Sequence, residues 1–194
     1  MEEESDVGVI TTANLKPAAQ CRKAARTAAA VLGQICRAFH YRDRHVFIQL
    51  YKQNVRPHLE FACAAWSPWQ EGNKACLERV QQRAVAMVSG LASREYEERL
   101  KELHMETLEE RRHQMDMAQV HKILTGRDKM EVDNLLTMAN SHGRNTRAAA
   151  DACCLRQNPS RLEVRRNFFT QRVVAHWNDV PSKIKHEFCP GLQE

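Results

Sequence analysis

The chain has 194 residues and 43% hydrophobic residues, which suffices for one domain, alone or with an appendage, and for a sizeable core. It has only 7 glycines and 6 prolines, and its abundance of Ala, Leu, Glu, Arg and Gln favours helix. No stretch approaches the ~20 apolar residues of a membrane helix, and the acidic start MEEESD is unlike a signal peptide. We therefore expect an intracellular protein, cytoplasmic or nuclear and not secreted, without membrane contact.

The formal net charge is +5, and its distribution along the chain is uneven. Residues 1–139 carry 20 Lys and Arg against 19 Asp and Glu, whereas residues 140–194 carry 9 against 5. Most of the excess positive charge therefore lies in the last quarter of the chain. This indicates a surface there that faces a polyanion.

The first predicted elements are helices with clear boundaries. After an acidic start at 1–14, which contains the strand-like VGVI, the spacing predicts a helix over 17–39 with Pro17 in its first turn. Asp43 is a plausible N-cap for a second helix. That helix should stop or kink before Pro57, because proline lacks a backbone N–H.

Two tryptophans follow in one short corner. A helix restarting at Pro57 presents Leu59, Ala62, Cys63 and Trp66 on one stripe, and Ser67-Pro68 ends it just before Trp69. Such a corner serves either as a joint between helices or as a base-stacking or methyl-lysine cage. We favour the joint, since a cage usually brings several aromatics together.

The remaining elements alternate between helices and one basic loop. Helices are predicted at 71–89, ending at Gly90, at 94–103, and from a capping box of Thr107 and Glu110 to Leu124. Residues 127–139 suggest one or two more helical turns, and residues 140–160 read as a loop or extended arm. A final helix at 162–178 is stopped by Pro181.

The predicted fold is therefore all-α, an irregular multi-helix bundle of short and medium helices with a basic loop at about 140–160. We divide the chain into five segments: an acidic start with a possible strand remnant, a helical bundle, the basic loop, an amphipathic helical segment and a frayed tail. Their bounds are 1–14, 15–139, 140–160, 161–187 and 188–194.

Motifs for catalysis are missing from the sequence. It contains no Asp-Asp pair, no D-x-D, no glycine-rich phosphate loop and no G-x-S-x-G. The adjacent Cys153 and Cys154 cannot copy the C-x2-C spacing of a zinc knuckle, and we read all seven cysteines as reduced thiols. The sequence predicts a non-enzymatic protein with no metal, no cofactor and no small-molecule ligand.

The stretch RLEVRRNFFTQRVVAHW at 161–177 is the best functional candidate. On one helix, Arg161, Arg165 and Arg172 would share a face with Phe168, beside an apolar stripe of Phe169, Val173 and Trp177. Arginines around an exposed aromatic suit a nucleic-acid backbone with stacking. The alternative is an ordinary amphipathic helix with solvated arginines and a buried Phe168.

Five quoted stretches, in this order, carry a resemblance to a known family. They are the run from NLKPAAQCRKAARTAA to HLEFACAAWSPW at 14–69, then LERVQQRAVAMVSGL, YEERLKELHMETLEERR, the loop GRNTR and RRNFFTQRVVAHWNDVP. This set resembles the region that follows the catalytic palm in reverse transcriptases of non-LTR retrotransposons, over about residues 5–185. VGV near residue 7 resembles the end of the primer-grip hairpin, and the rest is similar to the thumb and post-thumb helices.

The resemblance implies a helical part that positions nucleic acid and does no chemistry. In that family the metal-binding aspartates lie upstream, in the palm, so we expect this chain to lack them and any endonuclease. Two features depart from the family pattern: ACC at 152–154 and the end HEFCPGLQE. The resemblance implies a truncated or rearranged copy, whose partners would be RNA or an RNA–DNA duplex and a palm domain in a longer parent protein.

Electrostatics, rather than the family, selects the candidate contact residues. The expected phosphate-binding residues are Arg144, Arg147, Arg161, Arg165, Arg166 and Arg172, with a second basic face of Lys74, Arg79 and Arg83. The residues expected to hold the scaffold are Pro57, Trp66, Trp69, Phe169, Trp177 and Pro181. Two alternative functions remain, a protein–protein interaction module of helical hairpins and a functionless relic of a mobile element.

Overall fold

A computed structural model describes residues 3–41, 43–128, 135–139, 153–181 and 184–185. The chain is mainly helical, and a small antiparallel sheet precedes the helices. The helices are α1 (Ala18–Ala38), α2 (Arg44–Leu50), a π-helical segment (Tyr51–Val55), α3 (Arg56–Glu60), α4 (Cys63–Trp66), α5 (Glu71–Ala86), α6 (Tyr96–Glu102), α7 (Leu108–Leu124), α8 (Glu163–Arg166) and α9 (Phe169–Asp179).

The sheet corrects the all-α prediction. Strands β1 (Glu3–Asp6) and β2 (Val9–Thr12) pair antiparallel, with Asp6 opposite Val9. The two residues between them, Val7 and Gly8, both have positive φ, which matches the tight turn whose twist suits a β-hairpin. A side-chain hydrogen bond from Lys23 Nζ to the Gly8 carbonyl, 2.8 Å long, ties this turn to α1.

The chain forms two compact units, Met1–Arg112 and His113–Glu194, and the boundary falls within α7. The core of the first unit forms where α1 packs against α5. Small residues such as Ala24 and Ala28 are buried on α1 together with Leu32 and Ile35, while Leu77, Val80 and Ala84 are buried on α5. The 3.6-residue spacing in the sequence predicts these buried stripes because each helix needs one apolar face.

Pro57 does not interrupt the helical run. The backbone passes from α2 through the π-helical segment into α3, and the Arg56 N–H bonds to the Tyr51 carbonyl across five residues. A π turn widens the helix just before proline, where the ring would otherwise crowd the carbonyl four residues back. The break expected at Pro57 occurs instead at Ala62, whose φ of 51° separates α3 from α4.

The tryptophan corner lies directly after this break. Trp66 is buried, and its indole Nε1 donates a 2.8 Å hydrogen bond to the Phe61 carbonyl. Trp69 is half-buried, and its own Nε1 is a buried atom without a hydrogen-bond partner among the described residues. Trp66 is thus part of the packed core of this unit.

A buried polar cluster joins α5 to the start of α7 in the first unit. The Glu78 carboxylate accepts hydrogen bonds from the Tyr96 hydroxyl, from Gln81 Nε2 and from the Leu108 N–H. Gln81 in turn accepts a 2.8 Å hydrogen bond from the Tyr51 hydroxyl. Burial raises the pKa of both tyrosines well above its ordinary value, and for Tyr96 the bond to Glu78 adds to the effect.

In the second unit, α9 anchors a short extended segment that belongs to the predicted basic loop. Trp177 Nε1 donates to the Cys153 carbonyl at 2.8 Å, and the Asn178 side chain bonds both backbone groups of Leu155. Leu155 also forms an isolated antiparallel bridge with Met138. Cys153, Cys154 and Leu155 are buried, so this end of the predicted loop is part of a core.

The final predicted helix is interrupted. Instead of one helix over 162–178, α8 ends at Arg166 and α9 starts at Phe169, with Asn167 and Phe168 between them. Residues 129–134 and 140–152, and the tail at 188–194, lie outside the described residues. The segment boundaries proposed from sequence therefore stay predictions.

Within the described part of the chain, no helix combines the length and the apolar character that crossing a membrane requires.

Candidate nucleic-acid interface

Three exposed arginines and one exposed aromatic residue lie within a short stretch of chain at the start of the second unit's last helices. Arg161 precedes α8, and Arg165 and Arg166 end it. The Arg165 guanidinium carbon lies 5.7 Å from the centre of the Phe168 ring, and 43% of Phe168 is exposed. We call Arg161, Arg165, Arg166 and Phe168 the arginine–phenylalanine patch.

The local chain geometry explains why Phe168 faces solvent. Its extended backbone, with ψ of 148°, makes it the N-cap of α9 and takes it out of the apolar stripe that starts at Phe169. Phe169 and Trp177 are both buried on that stripe. The interruption of the helix thus separates one exposed aromatic from a buried one directly beside it.

A shallow groove of about 220 Å³ adjoins the patch at Arg166. Its other walls come from the stretch 157–160 and from Gln171, whose Oε1 accepts a 3.2 Å hydrogen bond from the Asn158 N–H. These residues have no signature in the sequence, because Asn, Pro and Ser in a loop have no spacing that marks them. Their amide and hydroxyl groups are of the type that contacts sugar and phosphate.

Arg172 belongs to the core and is not part of this patch. Its Nε and Nη2 donate to the two carboxylate oxygens of Asp116, both at 2.8 Å, and its Nη1 donates to the Asn167 carbonyl at 3.2 Å. Its guanidinium also lies over the Phe169 ring, 5.5 Å from the centre. A guanidinium held in this way is not available to a phosphate, so we omit Arg172 from the interface.

The second basic face predicted on α5 is less positive than its sequence suggests. Lys74 Nζ lies 2.9 Å from a Glu71 oxygen and 2.7 Å from a Glu109 oxygen, and these bonds raise its pKa. Arg79 and Arg83 are exposed one turn apart, and Arg79 Nε bonds the Ala75 carbonyl of its own helix. Two arginines, rather than three cations, therefore face solvent there.

The other predicted residues divide between described and undescribed parts of the chain. Arg144 and Arg147 lie outside the described residues. Pro181 is exposed just after α9. The six cysteines within the described ranges form no disulfide bond. No group of three His, Cys, Asp or Glu side chains among the described residues could hold a metal ion.

Comparisons of the chain with protein-family models, with curated proteins and with solved structures find no match.

Proposed function

We propose that this chain is a non-catalytic, mainly helical protein that binds RNA or an RNA–DNA duplex through backbone phosphates, without sequence preference. The observation that carries the proposal is the arginine–phenylalanine patch, in which three exposed arginines lie close in sequence to a half-exposed ring and the Arg165 guanidinium lies over that ring. Arginine matches phosphate oxygens with paired N–H donors, and an exposed ring offers a stacking surface to any base.

The proposed role follows the family that the sequence resembles. In it, this chain acts as the thumb-like and post-thumb part of a non-LTR reverse transcriptase, an irregular helical bundle that positions a duplex while a separate palm domain does the chemistry. Such a role requires no cofactor and no catalytic residue in this chain. It would be exercised inside the cell, in the cytoplasm or nucleus.

The proposal is tested by fluorescence anisotropy with a short labelled RNA–DNA duplex at two salt concentrations. The folded chain should bind at micromolar or lower concentration, and binding should collapse at the higher salt because phosphate contacts release counterions. Joint replacement Arg161→Gln, Arg165→Gln and Arg166→Gln should weaken binding at least tenfold.

A matched control keeps the same loss of charge elsewhere. Arg22, Arg26 and Arg37 are exposed on α1, and their joint replacement by glutamine removes three positive charges away from the patch. Equal loss of affinity in both triple variants would reject the patch in favour of net charge alone. No binding by a wild-type protein with a native circular dichroism spectrum would reject the function and leave a relic.

A protein–protein interaction module is the second candidate, and one cluster favours it. Phe39, Tyr41 and Val46 are 42%, 80% and 51% exposed around the connection between α1 and α2. Large apolar side chains exposed along one short stretch of chain are a candidate protein contact. Light scattering, which measures the mass of the particle in solution, distinguishes the two candidate functions. Self-association that Phe39→Ser abolishes, combined with no duplex binding, would favour the interaction module over nucleic-acid binding.

A further inference from the structure

A second basic groove lies in the first unit and shares no residue with the arginine–phenylalanine patch. It has a volume of about 700 Å³, and its walls come from the π-helical segment, from the end of α6 and from the start of α7. Its cations are Lys52, Arg56, Lys101 and Arg111, and its single wall carboxylate belongs to Glu106. These residues are up to 59 positions apart in the chain, so no sequence motif predicts the groove.

The charges in this groove do not cancel. Arg56 and Arg111 both pair with the buried Glu60, with Arg56 Nε 3.7 Å and Arg111 Nη2 3.2 Å from its Oε2, and Arg111 also lies 3.9 Å from Glu106. Neither Lys52 nor Lys101 has an ion-pair partner among the described residues. Within this lining four cations face two carboxylates, Glu60 and Glu106, so the two lysines have no paired carboxylate there.

The pairing with Glu60 holds two of the four cations in the groove wall. Glu60 is 8% exposed, and it fixes two guanidinium groups in the wall without occupying the lysines. The apolar side chains of Leu100 and Met105, both buried, complete the lining. A fixed wall of this kind reduces the ordering that a bound anion would otherwise require.

The backbone of the groove is unusual at two places. Lys52 lies in the π-helical segment, a conformation that is rare and frequent at functional sites. His104, which also lines the groove, has a φ of 48°, which is uncommon for a residue other than glycine. The Met105 N–H bonds the Leu100 carbonyl at 2.9 Å and so closes the C-terminal end of α6. In this type of cap, glycine usually occupies the position that His104 has here.

We infer that this groove is a binding site for an anion with two or more closely spaced phosphate groups. Two unbalanced positive charges match a polyphosphate, and lysine ammonium groups are compact donors that phosphate oxygens accept readily. The same chemistry is offered by a free polyphosphate or by neighbouring phosphates of a nucleic-acid strand. This inference does not depend on the arginine–phenylalanine patch, since the two sites share no residue.

Isothermal titration calorimetry of the full chain with inorganic tripolyphosphate at low salt tests the inference. We expect one site per chain, and joint replacement Lys52→Gln and Lys101→Gln should reduce the affinity at least tenfold. Lys16→Gln combined with Arg26→Gln removes the same charge from exposed positions of the same unit and should change the affinity less than twofold.

Two further measurements keep the outcomes separate. Chemical-shift changes at Lys52, Lys101 and His104 in the wild-type chain locate the site without any variant. Displacement of tripolyphosphate by an RNA–DNA duplex would identify a nucleic-acid strand as the source of the phosphates, and its absence would identify a free polyphosphate. No binding by the folded wild-type chain, or equal loss in both double variants, would overturn the inference, whatever the arginine–phenylalanine patch does.

Discussion

At the scale of single residues, backbone conformation decides where the helices end as much as side-chain type does. Ala62 ends α3 with a φ of 51°, and His104 does the same after α6 with a φ of 48°. Neither is a glycine, the residue that adopts this conformation without steric cost. A search for glycine finds Gly126, which follows the end of α7 with positive φ, and misses both of these positions. It also places the end of α5 at Gly90, whereas α5 ends at Ala86 with Met87 as its C-cap.

Trp66 gives a direct test of the core at this scale. Replacement Trp66→Ala removes a side chain that is 5% exposed and leaves the Phe61 carbonyl without its donor. We expect the free energy of unfolding to fall by about 3–5 kcal/mol, measured by denaturant titration. Tyr41→Ala, at a residue that is 80% exposed, should change it by less than about 0.5 kcal/mol. Equal effects of the two substitutions would contradict the core assignment.

At the scale of elements, the start of α7 is where the sequence was most informative. The Thr107 N–H and hydroxyl both bond Glu110 Oε2 at 2.9 Å, and the Glu110 N–H bonds Thr107 Oγ1 at 3.2 Å. This is the reciprocal capping box that the spacing predicts. The accepted hydrogen bonds also lower the pKa of Glu110.

Loss of this cap should be measurable. Thr107→Ala removes the side-chain acceptor and should lower the free energy of unfolding by about 1 kcal/mol in denaturant titration at pH 7. The control is Thr27→Ala, an exposed position inside α1 where alanine is the better helix former, and it should be neutral or slightly stabilising. A Thr107→Ala protein as stable as wild type would show that the capping box contributes nothing.

The polar cluster between α5 and α7 makes stability depend on alkaline pH. Tyr51 is fully buried, and burial, followed by the negative charge of neighbouring groups such as Tyr96 and Glu60, raises its pKa above the ordinary value of about 10. Above pH 10 the unfolded chain loses this proton while the folded chain keeps it. The folded state is then disfavoured, so stability is present below pH 10 and is lost as pH rises.

This dependence is measured by denaturant titration between pH 9 and pH 11. The free energy of unfolding of wild type should fall more steeply than that of Tyr51→Phe, by up to about 1.4 kcal/mol per pH unit for the one proton removed. Tyr41→Phe, at an exposed tyrosine, should keep the wild-type slope. Parallel slopes for wild type and Tyr51→Phe would contradict the raised pKa.

What the sequence predicts at this scale depends on whether the cause is local. The stripes of α1 and α5 and the cap of α7 follow from spacing within one element, and they agree with the structure. The π-helical segment before Pro57 and the break before Phe169 have no such marker, because packing against distant residues decides them. The sequence places Arg172 in the interface because its partner Asp116, 56 residues earlier in the chain, has no local marker.

At the scale of the whole molecule, the number of positive residues in a segment differs from the number whose side chains can reach a phosphate. The excess of Lys and Arg in residues 140–194 includes Arg172, which is neutralised by Asp116, whereas the balanced residues 1–139 contain a groove with two unbalanced lysines. Net charge guides diffusion of a polyanion toward the molecule, but contact requires side chains that are free to reach a phosphate. Each unit therefore has its own candidate phosphate contacts.

The contrast between Arg172 and Arg165 separates these two roles in one experiment. Arg172→Gln leaves the carboxylate of Asp116 buried without its partner, so the free energy of unfolding should fall by about 3 kcal/mol, while duplex affinity of the folded fraction changes less than twofold. Arg165→Gln, at an exposed residue, should change stability by less than about 0.5 kcal/mol. It should nevertheless weaken duplex binding severalfold and reduce the slope of log affinity against log salt by roughly 0.7–0.9, the value of one phosphate contact. The two assignments would be reversed if a folded Arg172→Gln protein bound the duplex more weakly while Arg165→Gln kept the wild-type salt slope. The reason is that a charge engaged in the core cannot release counterions from a phosphate.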